Sequence, residues 1–170
     1  MKWLITLFCM VMLQSCQKLN PYVYCDENPC QYNDIAINGK VYRYNTQYFR
    51  ELNGASSIEF ARVIHGEFPV LAEIISFDGI PDTTGVIYLR EGTAWSGYPV
   101  TEYGYFEEDV TTDIHVPFDR TSSWLYLVEK TPDRVRGTAH LRLYSGESFG
   151  TRFYGDVDTL NIFFEFDVTK

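Results

Sequence analysis

Apolar and polar positions alternate along much of the chain. In Arg134 to Tyr144, Val135, Ala139, Leu141 and Leu143 fall on one side. Arg134, Arg136, Thr138, His140 and Arg142 fall on the other. Near the C-terminus, Ile162, Phe164, Phe166 and Val168 oppose Asn161, Glu165 and Asp167. A period of two with one wet face marks a strand of an antiparallel sheet. Trp124-Leu125-Tyr126-Leu127-Val128 is apolar on both faces and reads as a central strand. Asn38-Gly39 separates the apolar-rich runs Asn33–Ile37 and Lys40–Tyr44, the strongest short signal for a hairpin. Further strands are expected over Ser57–Ile64, Val70–Phe77, Gly85–Arg90, Val110–Val116, Ser123–Glu129 and Asp158–Val168. Between them lie turn signals, including Asp78-Gly79, Pro81-Asp82 and Ser145-Gly146. Thr46–Leu52 is open: a short helix capped by Thr46 and stopped at Asn53-Gly54, or another strand. No long window has a 3.6-residue period.

The N-terminus follows a different rule. Lys2 precedes the apolar run Trp3–Leu13, which has the length of a secretory signal and is too short to span a bilayer. Leu13-Gln14-Ser15-Cys16 then resembles a bacterial lipobox. That resemblance implies cleavage before Cys16 and acylation of its thiol and amine, and two or three acyl chains anchor stably where one does not. Residues 1–15 are thus expected to be a lipoprotein signal peptide. Residues 16–30 would be a lipidated tether and 31–170 a single folded domain. Cys25 and Cys30 remain as an even pair in an exported chain, which reads first as a disulfide.

Charge narrows the function. With 14 Lys plus Arg against 23 Asp plus Glu, the 170-residue chain carries a formal net charge of -9. That argues against nucleic acid, whose phosphates need a basic face, and against electrostatic docking on anionic lipid.

Strand density and alternation give an all-β expectation. The fold expected first is a single antiparallel β-sandwich, jelly-roll-like; the alternative is a lipocalin-like barrel with a buried apolar cavity. The segment Trp124–Lys130, the Gly137-Thr138 within the next strand, the closing Phe166-Asp167-Val168 and the Ile37–Lys40 hairpin resemble the small β-rich lipoproteins of unknown function common in Bacteroidota. The resemblance implies an envelope lipoprotein with a β-sandwich and carries no catalytic residues.

Chemical motifs are sparse. Gly146-Glu147-Ser148-Phe149-Gly150 matches Gly-x-Ser-x-Gly, but no helical pattern and no His follow it, so it reads as a turn. His65, His115 and His140 have no metal-ligand spacing, and no cofactor motif is present. The most informative segment is Glu91–Asp119. It has no Lys or Arg and places Trp95, Tyr98, Tyr103 and Tyr105 beside Gly, near Glu107, Glu108 and Asp109. Exposed rings beside carboxylates suit a sugar, with C–H groups on the ring faces and hydroxyls on the carboxylates. The same rings could instead be core.

The function expected from sequence is a non-catalytic binding or structural module, anchored to the outer membrane by lipid, with the periplasmic face favoured. Its ligand would be a glycan or another envelope protein. The alternatives are a small envelope hydrolase, or an inhibitor or immunity protein using its acidic surface.

Overall fold

The computed structural model describes residues 31–52, 55–65, 71–92, 96–107, 110–145 and 159–170. Ten strands and no helix occur among them. They are β1 (Tyr32–Ile37), β2 (Lys40–Leu52), β3 (Ala55–His65), β4 (Leu71–Pro81), β5 (Gly85–Tyr88), β6 (Val100–Glu107), β7 (Val110–Pro117), β8 (Trp124–Thr131), β9 (Arg134–Ser145) and β10 (Thr159–Thr169).

Local chemistry sets the first connection. Asn38 and Gly39 take φ of 48° and 79°, the left-handed pair that a two-residue hairpin turn requires, and β1 and β2 zip in register from it. Thr46–Leu52 resolves as strand within β2, interrupted by a register shift between Thr46 and Tyr48. Asp78-Gly79 is not a turn either: β4 runs through it, with a shift opposite Ser56 and Ile58. Such bulges bend a strand, which a closing sheet needs. Tyr103-Gly104-Tyr105, expected in a loop, lies in β6 and pairs with β4 and β7.

The sandwich expectation is corrected here. β9 pairs with β10 along its whole length, and β10 pairs in turn with β1. The order β10-β1-β2-β3-β4-β6-β7-β9 therefore returns to β10, an eight-strand antiparallel barrel. Full closure removes the sheet edges that a sandwich leaves exposed. The alternation read from sequence is obeyed, but the shared face points to an axis instead of a second sheet.

An eight-strand barrel is just wide enough for side chains to fill. Phe60 of β3, Phe77 of β4 and Phe164 of β10 meet there, with centroids 5.1 to 6.2 Å apart. Phe166 packs against the same group. Phe164 thus reaches across the barrel to the opposite wall, and its waist is occupied by rings, each worth about 1.5–3 kcal/mol on burial.

One barrel strand is made in two pieces. β7 and β8 both pair antiparallel with β9, β7 at His115–Pro117 and β8 at Trp124–Thr131. Residues 118–123 leave the sheet between them, opposite Arg142. The gap is filled chemically. The Phe118 N–H donates to the Arg142 carbonyl. The buried Ser123 hydroxyl accepts from the Arg142 N–H at 3.0 Å and donates to its carbonyl at 3.2 Å. β5 pairs with the outer edge of β8, and Arg90 bridges onwards to Val100 of β6.

Candidate functional site

The β8 pattern explains a cluster of exposed aromatic side chains. Leu125 and Leu127 are buried inside the barrel, so Trp124, Tyr126 and Val128 must point outwards. Register then places neighbours beside them: Tyr88 opposite Trp124, Val86 opposite Tyr126, and His140 and Thr138 on the β9 side. A shallow, open groove of about 380 Å³ lies here, lined by Val86, Tyr88, Thr121, Trp124, Tyr126 and Thr138. Tyr88 is 51% exposed and Tyr126 46%.

Trp124 is held in a fixed orientation. Its indole stacks on the His140 imidazole, centroids 5.2 Å apart and planes 13° from parallel. His140 belongs to β9, on one side of β8. The opposite face of the indole therefore turns towards β5 and Tyr88. The groove lining combines these rings with the hydroxyls of Tyr88, Tyr126, Thr121 and Thr138.

The 118–123 excursion supplies one of those walls. Asp119 Oδ1 accepts three hydrogen bonds: from the Thr121 N–H at 2.7 Å, the Ser122 N–H at 2.8 Å and the Thr121 hydroxyl at 2.9 Å. The Thr121 backbone donor, then its hydroxyl, holds the Asp119 carboxyl below its usual range. None of the six lining side chains is charged, although the chain is 22% Asp, Glu, Lys and Arg.

The residues singled out from sequence do not assemble into one described surface. Tyr98 is exposed, with its hydroxyl donating to the Glu91 carbonyl at 3.4 Å and the Arg90 guanidinium 5.3 Å from its ring centroid. Tyr103 is buried inside the barrel, edge-on to His115 at 5.5 Å. Tyr105 and Glu107 belong to β6 by their backbone. Trp95, Glu108 and Asp109 lie outside the described residues, as do Cys16, Cys25, Cys30 and the Gly146–Gly150 motif. Trp124 and Tyr126, which the sequence places in a central strand apolar on both faces, form this surface instead. That run held the signal: in a sheet with one wet face, a second apolar face is an exposed one.

Two charged groups lie within the barrel. Arg62 and Glu73 are inward-pointing neighbours on β3 and β4. Glu73 Oε2 accepts from Tyr44 Oη at 2.6 Å, Arg62 Nε at 2.9 Å and Arg62 Nη2 at 2.5 Å. The Arg62 guanidinium also lies 4.3 Å from the Tyr42 ring centroid. Burial, then the charge of Glu73, holds the Tyr44 hydroxyl far above the ordinary tyrosine range. Towards the other end, the fully buried Lys130 ammonium lies 3.5 Å from Glu51. Both ion pairs are largely shielded from water and read as structure.

On the outer surface, Glu59 and Glu102 flank Ser76 across three strands, with Asp78 on the same face of β4. Burial first, and then Asp78, raises both glutamates. No group of His, Cys, Asp or Glu among the described residues is arranged to hold a metal ion.

No protein-family model matches this chain, and neither a characterised protein nor a solved structure is significantly similar to it. The groove's own chemistry is therefore what points to function.

Proposed function

We propose that this protein is an envelope lipoprotein, one of the small β-rich Bacteroidota type, that binds a neutral carbohydrate in the groove of β5, β8 and β9. The observation that carries the reading is the Trp124 indole, stacked on His140 and lining the groove with Tyr88 and Tyr126. Pyranose rings present C–H faces to such a surface and hydroxyls to its rim. The lining meets both needs with Tyr88 and Tyr126 beside Thr121 and Thr138. Its lack of charge favours a neutral glycan over an acidic one. Hydrolysis of a glycosidic bond needs two carboxylates, and a neutral lining supports binding without turnover. A lipid on Cys16 would tether the domain to the outer membrane, with the periplasmic face favoured by the absence of acidic residues in Gln17–Asn20.

The test has two arms. Full-length protein in detergent is applied to a panel of neutral and acidic oligosaccharides, and cells are labelled with palmitate. Retention of neutral oligosaccharides without cleavage, and label lost in Cys16→Ala, are expected. Preference for the acidic members, or turnover of any of them, would overturn the binding reading. Label persisting in Cys16→Ala would overturn the anchor.

A further inference from the structure

We infer that Asp119 sets the specificity of this groove by fixing the Thr121 hydroxyl as an acceptor. The inference rests on the carbohydrate reading above and names which kind of ligand group the site selects. An ionised carboxylate can only accept hydrogen bonds. Asp119 Oδ1 sits 2.9 Å from Thr121 Oγ1, so the proton between them comes from Thr121. The same oxygen binds the backbone N–H groups of Thr121 and Ser122, which prevents the carboxylate from turning away. Its ionised form is favoured by all three donors. Ser122 closes the loop from the other side: its hydroxyl accepts from the Asp119 N–H at 3.0 Å.

With its proton given to Asp119, the Thr121 hydroxyl has only lone pairs left to offer a ligand in the groove that Thr121 lines. A ligand group that approaches it must donate. A sugar hydroxyl satisfies that demand, whereas an ether or acetal oxygen at the same place leaves two acceptors facing each other. Asp119 does not touch the ligand; it is a positioning residue that acts through Thr121. The site selects a glycan with a free hydroxyl over the rim of Trp124, and rejects the same glycan when that hydroxyl is methylated.

The test uses methyl β-glucoside, its singly deoxygenated forms and its singly O-methylated forms as probes. Binding to the full-length protein is followed by Trp124 fluorescence in a Trp3→Phe, Trp95→Phe background. One deoxy probe is expected to bind about three- to tenfold more weakly, the loss of one neutral hydrogen bond. That penalty should vanish in Thr121→Val and persist in Thr121→Ser. In Asp119→Ala the hydroxyl is free to turn. The O-methyl probe at that position should then regain affinity relative to the parent glucoside, a change in selectivity that mere loosening of the loop would not produce. Equal weakening of every probe in Thr121→Val would overturn the inference and leave the carbohydrate reading standing. Failure of every glycoside to perturb Trp124 in the parent protein would overturn both.

Discussion

Glu73→Leu is the substitution that most severely tests how the barrel interior is held. Glu73 is 12% exposed at its side chain and Arg62 24%, so water screens neither fully. One carboxylate oxygen accepts from three donors on two residues. Removing it strands the Tyr44 hydroxyl, which is fully buried, and leaves a guanidinium without its counter-charge. Breaking one partner of a buried pair costs about 3–5 kcal/mol. The lower part of that range is expected, because the Tyr42 ring continues to hold the cation. Tyr44→Phe removes one hydrogen bond to a charged group and should cost about 1.5–3 kcal/mol. Arg62→Met with Glu73→Leu removes both charges, leaves only the Tyr44 hydroxyl unmatched, and should be less damaging than Glu73→Leu alone. The assay is urea unfolding of the parent and the three variants, compared by midpoint at constant slope. A loss under about 1 kcal/mol for Glu73→Leu, unchanged when Arg62→Met is added, would show that the pair is not desolvated. The account of the interior would then be wrong.

Three other outcomes follow from particular contacts. Ser123→Ala leaves the Arg142 N–H without its side-chain acceptor in the gap between β7 and β8, and should cost about 1–3 kcal/mol in the same unfolding assay. Gly137→Ala would drive a Cβ into the Tyr126 carbonyl oxygen; about 1–3 kcal/mol of overpacking is expected, with β8 displaced and glycan affinity lost together, read by denaturation and titration in parallel. Glu59 and Glu102 are raised above their unfolded values, so their ionisation opposes folding. Stability should rise as pH falls through the raised values towards about 4.3, the unfolded glutamate value, and Glu102→Gln should flatten that rise. Asp167, lowered by its hydrogen bond from Arg134, acts oppositely: its contribution is lost only below about 3.9, so thermal melts across pH 3 to 7 should peak on the acid side of neutral.

The strands were more legible than their closure. Asn38-Gly39 and the period of two in β9 and β10 are local signals, and they place side chains correctly without knowledge of the fold. Barrel or sandwich is decided by whether β10 meets β1, a pairing more than a hundred residues apart in sequence. Both architectures demand the same alternation, so no pattern separates them. β6 was hidden because Tyr103-Gly104-Tyr105 has the composition of a loop, yet Gly104 sits between Ile74 and Ile114 where the ladder is continuous. The groove was hidden for a different reason. Its residues come from three strands and an excursion, and only register brings Tyr88 and Thr138 to Trp124. The acidic aromatic segment stands out by composition, but its described rings divide between the exterior, Tyr98 and Phe118, and the interior, Tyr103.

That division gives the most direct test of the central claim. Full-length Trp124→Ala and Tyr98→Ala proteins, with unfolding midpoints checked against the parent, are run by affinity electrophoresis through gels containing the neutral glycan bound most tightly on the panel. The groove account predicts that Trp124→Ala migrates as if no glycan were present, while Tyr98→Ala is retarded as strongly as the parent. Retardation kept by Trp124→Ala and lost in Tyr98→Ala would contradict it and move the site to the segment after β5.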